Sequence, residues 1–187
     1  MTLDAAAVVA RTRAWIERAV IGLNLCPFAK AVYVKERIRY VVSEADTPEA
    51  LLAELERELA HLAATPAEET DTTLLIHPRV LEDFLDYNDF LEVADEIVER
   101  MDLAGVLQVA SFHPQYQFAD THPDDITNFT NRSPYPTLHL LREASVDEAV
   151  AAFPEAGDIY LRNMQTLRRL GRAGWDALDV GPGQSKA

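Results

Sequence analysis

Thr72-Thr73-Leu74-Leu75-Ile76-His77-Pro78 is the stretch on which the fold turns. Threonine, leucine and isoleucine form a short apolar run that stops at a His-Pro pair. A run this continuous suits a central strand covered on both faces. Working outward, residues 80–101 place Phe90, Leu91, Ala94, Ile97, Val98 and Met101 at helical spacing. Asp89-x-x-Glu92 has the form of a capping box, so the spacing predicts a break near Asp86-Tyr87-Asn88. A second strand over 106–112 then closes on another His-Pro pair, His113-Pro114. On the other side, Ile38-Arg39-Tyr40-Val41-Val42 reads as a strand, and Thr47-Pro48 as the cap and first turn of a helix striped by Leu51, Leu52, Leu55, Leu59 and Leu62.

Two strand–helix–strand units in succession imply parallel strands joined by crossovers. A last strand, Thr137-Leu138-His139-Leu140-Leu141, follows the long loop 115–136 with its direction left open. Ahead of all this, Val8, Val9, Trp15, Ile16, Ala19, Val20 and Leu23 mark an amphipathic helix closed by Gly22 and Pro27. At the other end, Ser145-x-x-Glu148 predicts a short helix, and a final helix over 158–170 stops at Gly171. The expected fold is α/β, with α+β as the variant. It has one domain over 1–175, a four-stranded mixed sheet with helices packed on it, and a flexible tail over 176–187. The element order is α-β-α-β-α-β-loop-β-α-α.

Composition limits function. With 187 residues, 48% hydrophobic and 26% charged, the chain can bury a substantial core as one domain. Asp and Glu number 31 against 17 for Lys and Arg, a net charge of −14. So acidic a surface repels phosphate backbones and anionic lipid, so neither nucleic acid nor membrane is an expected partner; a small molecule is. The oligomeric state is left open. The single cysteine, Cys26, cannot close an intrachain disulfide, and no basic stretch precedes the apolar run 5–10. Both features fit a cytoplasmic protein.

The candidate site lies at the ends of the strands. If the strands bearing His77 and His113 run in parallel, both imidazoles emerge at the carboxyl edge, where open α/β sheets hold ligands. His113 is then the candidate general acid or base and His77 its assistant. Alternatively each imidazole bonds locally and simply ends its strand. Between residues 113 and 136 the only cation is Arg132, flanked by Asn128 and Asn131. With His122 and Asp124 these form the candidate substrate-binding set. Arg132 either grips a carboxylate or phosphate through its planar fork or stiffens the loop by pairing with Asp124 or Asp125. No cofactor is identified. A divalent metal on some subset of His77, His113, His122 and Asp124, or a two-histidine, one-carboxylate set that includes His139, is the alternative considered. Cys26, among Leu23, Leu25 and Phe28, reads as a buried thiol rather than a nucleophile.

Several phrases are more specific than these patterns: Leu23-Asn24-Leu25-Cys26-Pro27-Phe28, Asp86-Tyr87-Asn88-Asp89-Phe90, Ser111-Phe112-His113-Pro114 and Asn131-Arg132-Ser133-Pro134-Tyr135-Pro136-Thr137-Leu138-His139-Leu140-Leu141-Arg142. Through them the chain resembles a bacterial family catalogued as domain of unknown function 1415. The resemblance spans nearly all of residues 15–171. It implies a bacterial cytoplasmic single-domain protein and assigns no chemistry. The expected function is a small-molecule enzyme acting on an anionic substrate under the 115–136 loop. A non-catalytic ligand-binding or interaction module using the same loop is the alternative.

Overall fold

The structure, a computed structural model, describes residues 3–182. Strands β1 (Ile38–Val42), β2 (Thr72–Ile76), β3 (Leu107–Phe112) and β4 (Thr137–Arg142) form one sheet in the order β1-β2-β4-β3. β1 and β2 are parallel, and β4 runs antiparallel to both of its neighbours. β2 is buried along its whole length, as its unbroken apolar run requires. β2 and β3 point the same way, as the sequence predicts, but they are not paired. β4 returns along the long 113–136 connection and slots between them, which fixes the direction left open by the sequence.

Helices cover both faces. α3 (Pro48–Ala64) and α4 (Phe84–Arg100) lie on one, against Leu75, Leu107, Leu138 and Leu140. Thr47 caps α3 by accepting from the Ala50 N–H at 3.2 Å, and Leu51, Leu55, Leu59 and Leu62 are fully buried. Burying each such leucine contributes roughly 1.5–3 kcal/mol before chain entropy is counted. The opposite face is covered by α1 (Ala5–Trp15) with its π-helical continuation Ile16–Ile21, and by α6 (Ile159–Ala177). These bury Leu74, Ile76 and Phe129. Gly22 ends the π turn so tightly that a Cβ there would stand 2.3 Å from the Arg18 carbonyl oxygen. The short helices α2 (Ala29–Val34) and α5 (Glu143–Ala152) bury no side chain.

Three local expectations give way. α4 is unbroken and starts at Phe84, because Asp83, not Asp89, caps it, accepting from Leu85 and Asp86 N–H groups. Tyr87 then falls on the buried stripe with Phe90, Ala94 and Ile97, which a break there would have displaced. α5 begins at Glu143 directly after β4, and Ser145 donates instead to Asp71 Oδ1 at 2.6 Å. α6 does not stop at Gly171. It kinks there, with φ 67° and ψ 175°, and resumes to Ala177. Of the stretch expected as a tail, residues up to 182 are described: Val180 is buried and Asp179 pairs with Arg11. Residues 183–187, where fraying is expected, lie outside the described residues.

Candidate functional site

His77 and His113 end β2 and β3 at the same edge, both fully buried. Side chains alternate along a strand, so the residue after Ile76 or Phe112 turns to the α4 face. There Tyr87 lies between them, its ring centroid 5.7 Å from His77 and 5.0 Å from His113. Its hydroxyl accepts from Phe112 N–H at 3.1 Å and donates to the Thr137 carbonyl at 2.8 Å, which stitches the open end of the β3–β4 pair. The connection between β2 and α4 supplies the histidines' partners. His77 Nδ1 donates to the Val80 carbonyl at 2.9 Å. His113 Nδ1 accepts from Gln115 N–H at 3.0 Å, so its proton sits on Nε2 and goes to the Leu81 carbonyl at 3.1 Å. Both nitrogens of His113 are thus engaged by main chain, while His77 Nε2 is buried and has no hydrogen-bond partner among the described residues. Burial lowers both imidazoles, His77 to about 4. Both are held neutral near pH 7.

The 115–136 loop is ordered by its own polar side chains. Asn128, fully buried, accepts from Phe118 N–H and Thr121 Oγ1 and donates to the His122 carbonyl. Asn131 Nδ2 donates to the Ser111 carbonyl, and its own carbonyl accepts from His113 N–H. Asp125 caps the 3-10 turn Ile126–Asn131 through Thr127. His122 and Asp124 stand exposed on the outer surface, 3.7 Å apart. Arg132 apart, the site residues read from the sequence therefore fall into three places: the buried His77–His113 stack, the loop interior with Asn128 and Asn131, and the exposed rim.

Arg132 faces a fourth place. Its Nε donates to the Tyr116 carbonyl at 3.1 Å and its Nη2 to the Pro123 carbonyl at 2.7 Å. Its guanidinium lies over the Phe129 ring at 4.3 Å, and Arg172 approaches the same ring at 5.2 Å. Among the described residues no carboxylate forms an ion pair with Arg132; the pairing expected with Asp124 or Asp125 is absent. Burial, and then the Arg172 charge, weaken its hold on its proton. Arg132 borders a cleft of about 700 Å³ on the α1–α6 face, opposite the histidines. Pro114, Phe129, Ser133 and Tyr135 form one wall. Ala7 and Arg11 of α1, Arg172, Trp175 and Asp176 of α6, and the strap 179–182 form the rest.

Sequence reasoning missed Arg11, Arg172 and Asp179. Each looks like an ordinary charge on a helix or at its end. Arg11 donates from Nε to the Gly181 carbonyl and from Nη2 to Asp179 Oδ1 at 3.0 Å, which draws the strap onto α1. Arg172 pairs with Asp176 one helical turn on, at 2.9 Å. Elsewhere, Cys26 is half-buried, and burial raises its thiol. His139, on β4, meets Thr72 Oγ1 through Nε2 at 2.7 Å. Among the described residues no three or more His, Cys, Asp or Glu side chains gather as a metal site would require.

These features describe a single-sheet α/β protein with helices on both faces and an arginine-lined cleft on the α1–α6 face. The sequence profile of the family described as "Protein of unknown function (DUF1415)" matches residues 7–177, and the chain belongs to that family. No curated protein and no solved structure matches the chain.

Proposed function

We propose that this protein binds a small organic anion in the cleft bounded by α1, the 129–135 segment and α6, as a ligand-binding module. One observation carries the reading: Arg132 is half-buried, borders the cleft, and has main-chain carbonyls but no described carboxylate as partners. A guanidinium carries five N–H donors. The two tied to Tyr116 and Pro123 fix its plane and leave the others for a ligand. Arg172 beside it adds repulsion that an anion relieves. Three arginines against two carboxylates in the lining leave a local positive charge on a protein of net charge −14. The volume suits a metabolite-sized ligand. A cytoplasmic setting fits the lone thiol, and no helix among the described residues is long and apolar enough to cross a membrane.

The acid–base role for His113 is the second reading, favoured by adjacency, since Pro114 lines the cleft. It requires Gln115 N–H or the Leu81 carbonyl to release the ring. Calorimetric titration of benzoate tests the anion site. Binding by the intact protein should weaken about 10- to 100-fold in Arg132→Lys, the cost of a charge-assisted hydrogen bond. It should be unchanged in His113→Gln. Arg132→Lys and Arg132→Ala variants that stay folded and bind as the intact protein does would reduce Arg132 to a loop strut and overturn the proposal.

A further inference from the structure

The cleft carries its own carboxylates, and their placement bears on which anions it takes. Its lining holds three guanidinium groups, Arg11, Arg132 and Arg172, against two carboxylates, Asp176 and Asp179. Asp176 is committed to Arg172. Asp179 is shared by two arginines of the first helical segment, 3.0 Å from Arg11 and 3.8 Å from Arg18. The strap bearing it is tied down on both sides. Arg18 donates to the Leu178 carbonyl and Arg11 to that of Gly181, while Val180 is buried between them. Asp179 thus stands where a second acidic group of a ligand would meet Arg11. Among the described residues, one guanidinium of the lining, that of Arg132, has no carboxylate paired with it.

We infer that Asp179 is a charge-specificity residue that makes the cleft select a singly charged organic anion, a monocarboxylate carrying an apolar or aromatic body, over a dianion. This rests on the anion-binding reading above and names the ligand class for that site. The body would lie along the wall of Pro114 and Tyr135, and the carboxylate on Arg132. A dianion's second group meets Asp179, a like charge, and must displace it from Arg11 before gaining a partner. The electrostatic part of that opposition scales with ligand charge, so a dianion feels it twice as strongly.

Benzoate and phthalate are matched probes, one ring with one or two carboxylates. Their affinities are measured by calorimetry above neutral pH and at low ionic strength, where surface charges are least screened. Asp179→Asn removes the charge while keeping a side chain that tolerates the left-handed backbone there, φ 51°. Intact protein should bind benzoate more tightly than phthalate. In Asp179→Asn the phthalate affinity should rise by more than the square of any gain for benzoate, because Arg11 is freed as well. Asp176→Asn, which leaves Asp179 on Arg11, should favour phthalate less. An equal change for both ligands, or a loss for phthalate, overturns the specificity role and leaves the anion site standing. Failure of every protein to bind either ligand, with melting curves showing all folded, overturns the anion site itself.

Discussion

Replacing His77 with Asn separates a buried strand-end histidine from one that titrates freely. In the folded chain burial holds His77 neutral down to about pH 4, against 6.5 for the free side chain. Above pH 6.5 the ring is neutral folded or unfolded, and its contribution to stability is complete. Between 6.5 and about 4 the unfolded chain takes up a proton that the folded chain refuses, so stability falls with pH through that window. Below it both states are protonated and the loss levels off. At about 1.4 kcal/mol per pH unit, the group's share of the loss is roughly 3 kcal/mol. That is a large part of the 5–15 kcal/mol typical of a whole domain. Asn at 77 can place an N–H toward the Val80 carbonyl as Nδ1 does, but it takes up no proton. Urea denaturation at intervals from neutral pH to about pH 4.5 should therefore show a slope shallower by close to one proton in His77→Asn. His139, also lowered to about 4 by burial, and His113, lowered by burial as well, add to the slope of the intact protein, and His139→Gln should remove the part due to His139. Asp125 and Asp179 are pushed below the ordinary carboxylate value and act at lower pH, outside the window. Parallel slopes for the intact protein and His77→Asn would mean that His77 is protonated in the folded chain, and the buried stack would have to be redrawn.

Tyr87→Phe leaves the stack but removes the hydroxyl that Phe112 N–H and the Thr137 carbonyl share, so both lose a partner at the open end of β3 and β4. Chemical denaturation should show a loss of about 1–3 kcal/mol; no loss would mean that those groups pair directly once the hydroxyl is gone. Gly171→Ala places a side chain at φ 67° and ψ 175°, a region essentially reserved for glycine, and should cost about 1–3 kcal/mol. Because Arg172 and Trp175 follow the kink, the same variant should also weaken benzoate binding. A melting temperature and an affinity equal to those of the intact protein would show that α6 can straighten without cost.

What depends on neighbours in the chain was legible from the order of residues. The apolar run at 72–76 fixed β2 as a buried central strand, and the leucine stripe 51–62 fixed the face of α3. The two His-Pro ends put His77 and His113 at one edge, because strand direction follows from a single helical crossover. Arg132 stood out as the only cation of its loop. The order β1-β2-β4-β3 was beyond reach, since nothing local distinguishes a fourth strand that joins an edge from one inserted at the centre. The side of the sheet on which each site residue ended up was equally hidden, because Arg132 reaches across to α6 while the histidines turn toward α4. The cleft depended on the tertiary structure most of all. Arg11 and Asp179 meet across 168 positions of sequence, and each reads locally as a solvated charge on a helix or its end. Only the packing of α6 and its strap against α1 turns those solvated charges into the lining of one concave site, because burial and convergence are properties of the assembled layers rather than of any segment.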